Sequence, residues 1–265
     1  MTMREESTEF DIAKQVGDER HRVSDSVARE EPLQITVDGT PVAVVMRTPG
    51  HDEDLVKGFM LTEGLVDSLN DVVRIDLENK QNHAYVFLAD GIVLDHARLS
   101  RNLFSASSCG ICGKASIEAI QQHAPPIEGA FTVPVATVMA LPDALRAAQE
   151  VFADTGGLHA AALCAADGHI LVLREDVGRH NAIDKVIGWA AEQGTDLSET
   201  LLQVSGRVSF EVMQKALVAR IPVVSAISAP SSLAVEFARE SSQTLIGFLR
   251  PPKFNIYSGE ERIIG

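Results

Sequence analysis

The chain lacks most of what would place it in a membrane, on a secretory route or on nucleic acid. No apolar run approaches the roughly 20 residues a bilayer-crossing helix needs. Residues 1–9 are polar and charged, without the apolar stretch of a signal peptide. Three cysteines in 265 residues are an odd count and make no secreted disulfide framework, so a reducing cytoplasm is the expected setting. Lys and Arg number 23 against 37 Asp and Glu, and a net charge of −14 excludes a general nucleic-acid surface. There is no internal repeat, no low-complexity tract and no second C-x-x-C. What remains is an ordinary globular composition, 45% hydrophobic with a mean hydropathy of +0.07, long enough for one large domain or two small ones.

The most informative stretch that is present is Ser108-Cys109-Gly110-Ile111-Cys112-Gly113. A thiol pair at this spacing can bind half a zinc site, cycle as a disulfide or carry a sulfur atom. Helix-forming residues 114–120 follow, so the pair stands near a helix N-terminus, where free N–H groups and the dipole favour the thiolate. The flanking glycines suit a loop that approaches another protein or a bulky ligand. Cys164 lies in an apolar run and reads as a small core residue. A zinc reading would have to draw on His159 instead: Cys109, Cys112 and His159 would make a three-ligand centre.

Residues 1–28 read as a flexible polar tail. A smaller α+β unit follows over 29–106: a hairpin turning at Asp38-Gly39, a helix over 52–63 with Leu55, Val56, Phe59 and Met60 on one face, and strands near 72–77 and 84–88. Asp90-Gly91 makes a turn before another strand. Over 107–265, strands alternate with helices, which predicts a three-layer α/β domain. Its segments are 135–139, a helix from Pro142 to about Phe152, strands at 159–164, 170–174, 201–204, 222–226 and 244–249, and helices at 181–191, 210–219 and from Ser231 or Ser232 to Arg239.

Three strand-to-loop junctions in this second half carry polar clusters: 174–181 with Asp176, Arg179 and His180, 205–209 with Arg207, and 248–255 with Arg250 and Lys253. Ligands of α/β sheets bind beyond strand C-termini. Glycine and serine before a helix can cradle phosphate, and arginine adds bidentate contacts. Residues 205–265 hold 7 Lys and Arg against 5 Asp and Glu, while residues 1–100 hold 10 against 20. An anionic ligand is therefore expected at the C-terminal part.

S-C-G-I-C-G at 108–113, E-D-V-G-R-H-N-A-I-D-K at 175–185, S-G-R-V-S-F-E at 205–211 and G-F-L-R-P-P-K-F-N-I-Y at 247–257 together resemble the FdhD family of formate dehydrogenase accessory sulfurtransferases. The likeness runs over about residues 30–264 and includes T-P-G-H-D-E-D-L-V-K-G-F at 48–59. It implies a larger domain resembling cytidine deaminases, without their zinc and glutamate signature, beside a smaller N-terminal α+β domain, in a homodimer. It implies a cytoplasmic sulfurtransferase with no resident metal. Such a protein accepts persulfide sulfur from a cysteine desulfurase and passes it to the molybdenum of a bis-molybdopterin guanine dinucleotide cofactor, bound as substrate and mimicked by GDP. Formate dehydrogenase then receives the cofactor. The resemblance places the persulfide on Cys109, with Cys112 assisting or resolving, and cofactor contacts at Phe248, Leu249, Arg250, Pro251, Pro252 and Lys253. Asp176, Arg179, His180 and Arg207 join that pocket by their strand-end positions. Neither nucleic acid nor a membrane is expected as a partner. The alternatives are a zinc-dependent deaminase-like hydrolase, a cofactor chaperone that transfers no sulfur, and a dithiol oxidoreductase.

Overall fold

The computed structural model describes residues 5–94 and 124–265. Strands β1 (Ser7–Val16) and β2 (Glu19–Ala28) pair antiparallel from Ser7↔Ala28 to Val16↔Glu19. Residues 7–28 are thus a regular hairpin, where the sequence reading expects a flexible tail. The reading goes wrong because both faces of the ribbon are largely exposed, so no apolar alternation marks it. What the ribbon does have is a two-residue turn with Gly17 at φ 57°. Its far end packs beside residues 150–157, with the Ala28 methyl facing Gly157.

A four-stranded sheet follows, in the order β4-β3-β6-β5, from β3 (Glu31–Val37), β4 (Thr40–Arg47), β5 (Val72–Asp76) and β6 (His83–Leu88). The β3–β4 hairpin turns at Asp38 and Gly39, both at positive φ. Leu33, Ile35 and Val37 are buried at alternate positions and meet Leu55, Val56 and Met60 of α1 (Asp52–Thr62). Residues 92–94 form no strand, and any strand expected further on lies outside the described residues.

The second sheet has six strands in the order β13-β12-β11-β10-β8-β9. These are β8 (His159–Cys164), β9 (Ile170–Asp176), β10 (Leu201–Val204), β11 (Val223–Ala226), β12 (Thr244–Arg250) and β13 (Lys253–Ser258). β10, β11 and β12 run parallel, and β8 is antiparallel to both β10 and β9. Ala161 and Leu163 of β8 face one core with helices α4 (Arg179–Glu192), α5 (Phe210–Val218) and α6 (Ser232–Glu240). Ala160, Ala162 and Cys164 face the other, with α2 (Val135–Ala148). Helices therefore cover both faces of a mixed α/β sheet. A short β7 (Val133–Pro134) pairs with β14 (Ile263–Ile264) at the rim, and α3 (Glu150–Thr155) leads into β8.

Two expectations about this half change. Residues 135–139 belong to α2, and Pro142 sits inside that helix rather than at its first turn. Burial of Val138, Leu141 and Leu145, spaced three and four apart, outweighs the hydrogen bond that proline forfeits. β13 also emerges from a segment read only as a polar cluster.

α1 crosses α4 at very short range. A methyl group at Gly58 would overlap the Asp184 carbonyl oxygen and stand 2.9 Å from Asp184 Cα; one at Gly188 would overlap the Asp54 carbonyl and stand 2.7 Å from Gly58 N. Two buried ion-pair clusters flank the crossing. Lys215 Nζ donates to Asp184 (2.9 Å to both oxygens), Glu63 Oε1 (2.9 Å) and Thr62 Oγ1 (2.8 Å). Lys185 Nζ lies 2.8 Å from Asp176 Oδ2 and donates to the Thr48 carbonyl at 2.9 Å. Arg174 adds a bond to Asp54 at 2.8 Å. The two sheets are thereby locked together through matched charges, each with several hydrogen bonds.

Candidate functional site

The parallel relation of β9, β10, β11 and β12 brings their C-terminal ends to one edge of the second sheet. All three polar clusters singled out in the sequence lie on that edge. They are knit by backbone bonds: Val208 N–H to the Ala229 carbonyl (3.2 Å), Ser231 N–H to the Val208 carbonyl (2.9 Å) and Phe248 N–H to the Ser228 carbonyl (3.0 Å).

At the β10 end, Ser205, Gly206 and Arg207 meet the start of β8. Ser205 Oγ accepts from Ala160 N–H at 2.9 Å. A methyl at Gly206 would come within 3.2 Å of His159 Nδ1 and 3.7 Å of Arg179 Cδ, so glycine permits this approach. Burial holds the His159 imidazole below its ordinary pKa, and the charges of Arg179 and Arg207 press it further down. Arg179 Nε is buried without a hydrogen-bond partner. The arrangement sets two guanidiniums near a histidine whose charged form is disfavoured, first by burial and then by their charge.

His159 and Ser205 line a cleft of about 520 Å³ together with Arg146, Gln149 and Phe152. The Arg146 guanidinium lies 4.3 Å over the Phe152 ring. Gly156, Gly157, Leu158 and Ile227, the last just past β11, complete its lining. The sequence reading missed Arg146, Gln149 and Phe152 and gave Gly156-Gly157 only as a loop. Nothing in their local pattern tells a cleft wall from a helix surface.

His180, at the start of α4, lies 3.2 Å from Ser209 Oγ and 3.1 Å from Glu211 Oε2 through Nε2. It bridges the α4 and α5 N-termini instead of bonding Asp176. Asp176 itself is fully buried. It accepts from Thr48 N–H (3.1 Å), Gly178 N–H (2.8 Å) and Asn181 Nδ2 (2.8 Å) while pairing with Lys185. Its expected place in the ligand pocket is therefore corrected: every side of this carboxylate is used to anchor the first sheet to the second. Leu249 is corrected likewise, since its side chain is 0% exposed in the α2-side core.

The rest of the β12 end faces outward. Phe248 is exposed and holds φ 51°, a left-handed backbone unusual for an aromatic residue. At the neighbouring Gly247 an added methyl would stand 2.8 Å from Pro230 Cδ and 3.0 Å from Tyr257 Cε2, so glycine permits their close approach. Arg250 and Lys253 are exposed and paired in register across the Pro251-Pro252 turn. Of the other cations in the basic segment, Lys215 and Arg262 are buried, and Arg220 and Arg239 donate to backbone carbonyls. Arg250 and Lys253 thus put exposed positive charge at the β12 end. Cys109 and Cys112 lie outside the described residues. Cys164 is buried, and burial pushes its thiol pKa up to about 12, consistent with a core role. Among the described residues no cluster of His, Cys, Asp and Glu could hold a metal ion.

The family model described as FdhD/NarQ matches residues 28–264. The chain belongs to the FdhD/NarQ family. Curated relatives named sulfur carrier protein FdhD include one from Mycolicibacterium paratuberculosis, 52% identical over 88% of this chain and 90% of its own length. Another, from Streptomyces avermitilis, is 48% identical over 90% and 89%. A third, from the archaeon Sulfolobus acidocaldarius, is 43% identical over 90% and 91%. The fold is also that of a crystal structure of a candidate formate dehydrogenase accessory protein from Desulfotalea psychrophila, with a TM-score of 0.79, 22% identity and coverage of 97% and 99% of the two chains. The matched span includes the C-x-x-C at Cys109 and Cys112.

Proposed function

We propose that this chain is a sulfur carrier serving formate dehydrogenase. It takes sulfane sulfur from a cysteine desulfurase as a persulfide on Cys109 and delivers it to the molybdenum of a bis-molybdopterin guanine dinucleotide cofactor, which it binds as substrate. The name shared by its relatives supports the carrier role. One observation of this chain carries the cofactor half of the reading: the cleft lined by His159 and Ser205 at the strand C-termini, with Arg179 and Arg207 close enough to His159 to depress its pKa. A fold with a net charge of −14 concentrates cations there, as a ligand rich in phosphate requires.

The chemistry follows from the thiol pair. The Cys109 thiolate attacks the sulfane sulfur of the donor persulfide, and the donor cysteine leaves as its thiolate. Attack by Cys112 on the Cys109 persulfide then forms a Cys109–Cys112 disulfide. That bond supplies the two electrons by which the sulfur leaves as sulfide, and a thiol reductant resets the pair. Arg207, Arg250 and Lys253 face the cofactor's phosphates, and the exposed Phe248 ring offers a surface to its flat rings. The second sheet, mixed and covered on both faces, is read as cytidine-deaminase-like, and the protein as a cytoplasmic homodimer. No helix among the described residues is long and apolar enough to cross a membrane.

Intact mass after incubation with a cysteine desulfurase and cysteine tests the carrier. Wild type is expected to gain one reductant-labile sulfur atom, and Cys109→Ala to gain none. No gain in wild type, with the desulfurase active on another acceptor, would leave a cofactor chaperone in place of a carrier.

A further inference from the structure

The β1–β2 ribbon has no part in the chemistry proposed above, yet its register gives it a distinct face. Residues directly opposite in an antiparallel pair share a side, so Phe10, Ile12 and Val16 of β1 stand with Val23 and Val27 of β2. Charged residues interrupt this set, and His21 Nε2 lies 3.3 Å from Glu19 Oε2 within it. The other side carries Ala28, whose methyl rests near Gly157, and the ribbon leans on α3 through β2. On the first side Phe10 is 52% exposed, Val16 60% and Val27 41%. A two-stranded ribbon is marginally stable in water on its own. Scattered surface hydrophobics are ordinary, but a contiguous set on one face marks a contact.

The order of residues along the face says what covers it. At the tip stand Val16 and Glu19, and the next level holds Lys14 and His21. Ile12 and Val23 lie at the centre, followed by Asp25 beside Phe10. At the base, Val27 stands opposite Thr8, whose Oγ1 accepts from Arg29 Nε at 3.2 Å. Reversed about the centre, this order is its own complement. Ile12 and Val23 meet their own copies. Lys14 and His21 come level with Asp25 and the Phe10 ring, which sets cations against an anion and a π face. Glu19 comes level with Arg29. A twofold interface is self-complementary in this way, whereas an unrelated partner gives no reason for the symmetry.

We propose that this face of the β1–β2 ribbon docks antiparallel on the same face of a second copy, with the twofold axis passing between the Ile12–Val23 levels. The proposal rests on the homodimer reading above and names its surface. The face spans about 34 Å and is two strands wide, which places the contact among the smaller, reversible interfaces.

Sedimentation velocity on the full chain over about 1–100 µM, a range that brackets micromolar dissociation, tests this. Wild type should pass from monomer to dimer across the range. Ile12→Glu sets two carboxylates together at the axis and should remain monomeric. Lys14→Glu and Asp25→Lys each turn two symmetry-related attractions into repulsions, and each should weaken the dimer about tenfold. Together they should restore it. Within one chain Asp25 stands opposite Phe10, four residues along β1 from Lys14 and so about 14 Å away. Rescue therefore reports contact between copies, even where Ile12→Glu also unfolds the ribbon. A wild-type dimer that persists unchanged in all three single variants would overturn the ribbon contact and leave the homodimer reading standing. Wild type that stays monomeric throughout would overturn both. Single reversals that weaken the dimer without rescue in the double variant would overturn the antiparallel docking.

Discussion

The crossing of α1 and α4 makes a prediction whose sign runs against helix propensity. Gly188 is mid-helix, and alanine there would gain about 1 kcal/mol if the helix stood alone. In the folded chain the added methyl meets backbone, the Asp54 carbonyl and Gly58 N at 2.7 Å, and backbone cannot swing aside as a side chain can. Restoring ordinary contact requires the two helices to move apart by roughly 1 Å, a typical overpacking cost of about 3 kcal/mol at the upper end. That displacement also stretches the Thr62–Asp184 bond (2.7 Å), which spans the crossing, and pulls on the Arg174–Asp54 bond (2.8 Å) that ties α1 to β9. The net loss is about 2 kcal/mol, and the melting temperature should fall by about 4–8 °C on the scale of a domain this size. Gly58→Ala should cost a similar amount. The double variant should cost clearly less than the sum, because one displacement relieves both clashes. Thermal and denaturant melts of the three variants check this. A Gly188→Ala protein more stable than wild type would refute the close crossing.

Two further outcomes follow from the buried charges. Lys215→Met leaves Asp184 without its cation and should cost about 3–5 kcal/mol, whereas Lys215→Met with Asp184→Leu should recover much of the loss, read from denaturant midpoints. Burial alone would lower the Lys215 pKa, but the Asp184 and Glu63 carboxylates outweigh it and hold it above the usual lysine range. A raised lysine pKa keeps its contribution below the unfolded value of about 10.4 and loses it only at higher pH, so Lys215 itself adds no pH dependence between 6 and 9. His159 acts in the opposite sense. Its folded pKa lies below the unfolded value of about 6.5, so its contribution is present above that pH and is lost as pH falls through the window beneath it. An anion on Arg179 and Arg207 should raise the His159 pKa and draw in a proton. Pyrophosphate binding measured calorimetrically in two buffers of different ionisation enthalpy near pH 6.5 should show proton uptake that His159→Asn abolishes. Equal enthalpies for wild type would contradict the geometry.

Elements whose burial is one-sided were legible in the sequence. Alternation in β3, the apolar face of α1, the Asp38-Gly39 turn and the short apolar strand β10 each fix a local structure that tertiary contacts leave unchanged. The β1–β2 ribbon was illegible because neither of its faces is a core face. Residues 135–139 were misplaced because their β-branched content competes with a helical spacing that only packing on the second sheet rewards.

The site divides in the same way. The sequence by itself determined the chemistry available: the C-x-x-C pair, the clustered arginines at strand ends and the family to which they belong. Only the tertiary structure decided which of those groups face a ligand. Asp176 and Arg179 stand three positions apart, yet one is consumed by Lys185 and backbone amides while the other keeps an unpaired donor beside the cleft. Residue type and spacing fix what a side chain can do. Whether its hydrogen-bonding capacity is already spent depends on partners more than a hundred positions away, such as Thr48 for Asp176, and only the folded chain brings these together.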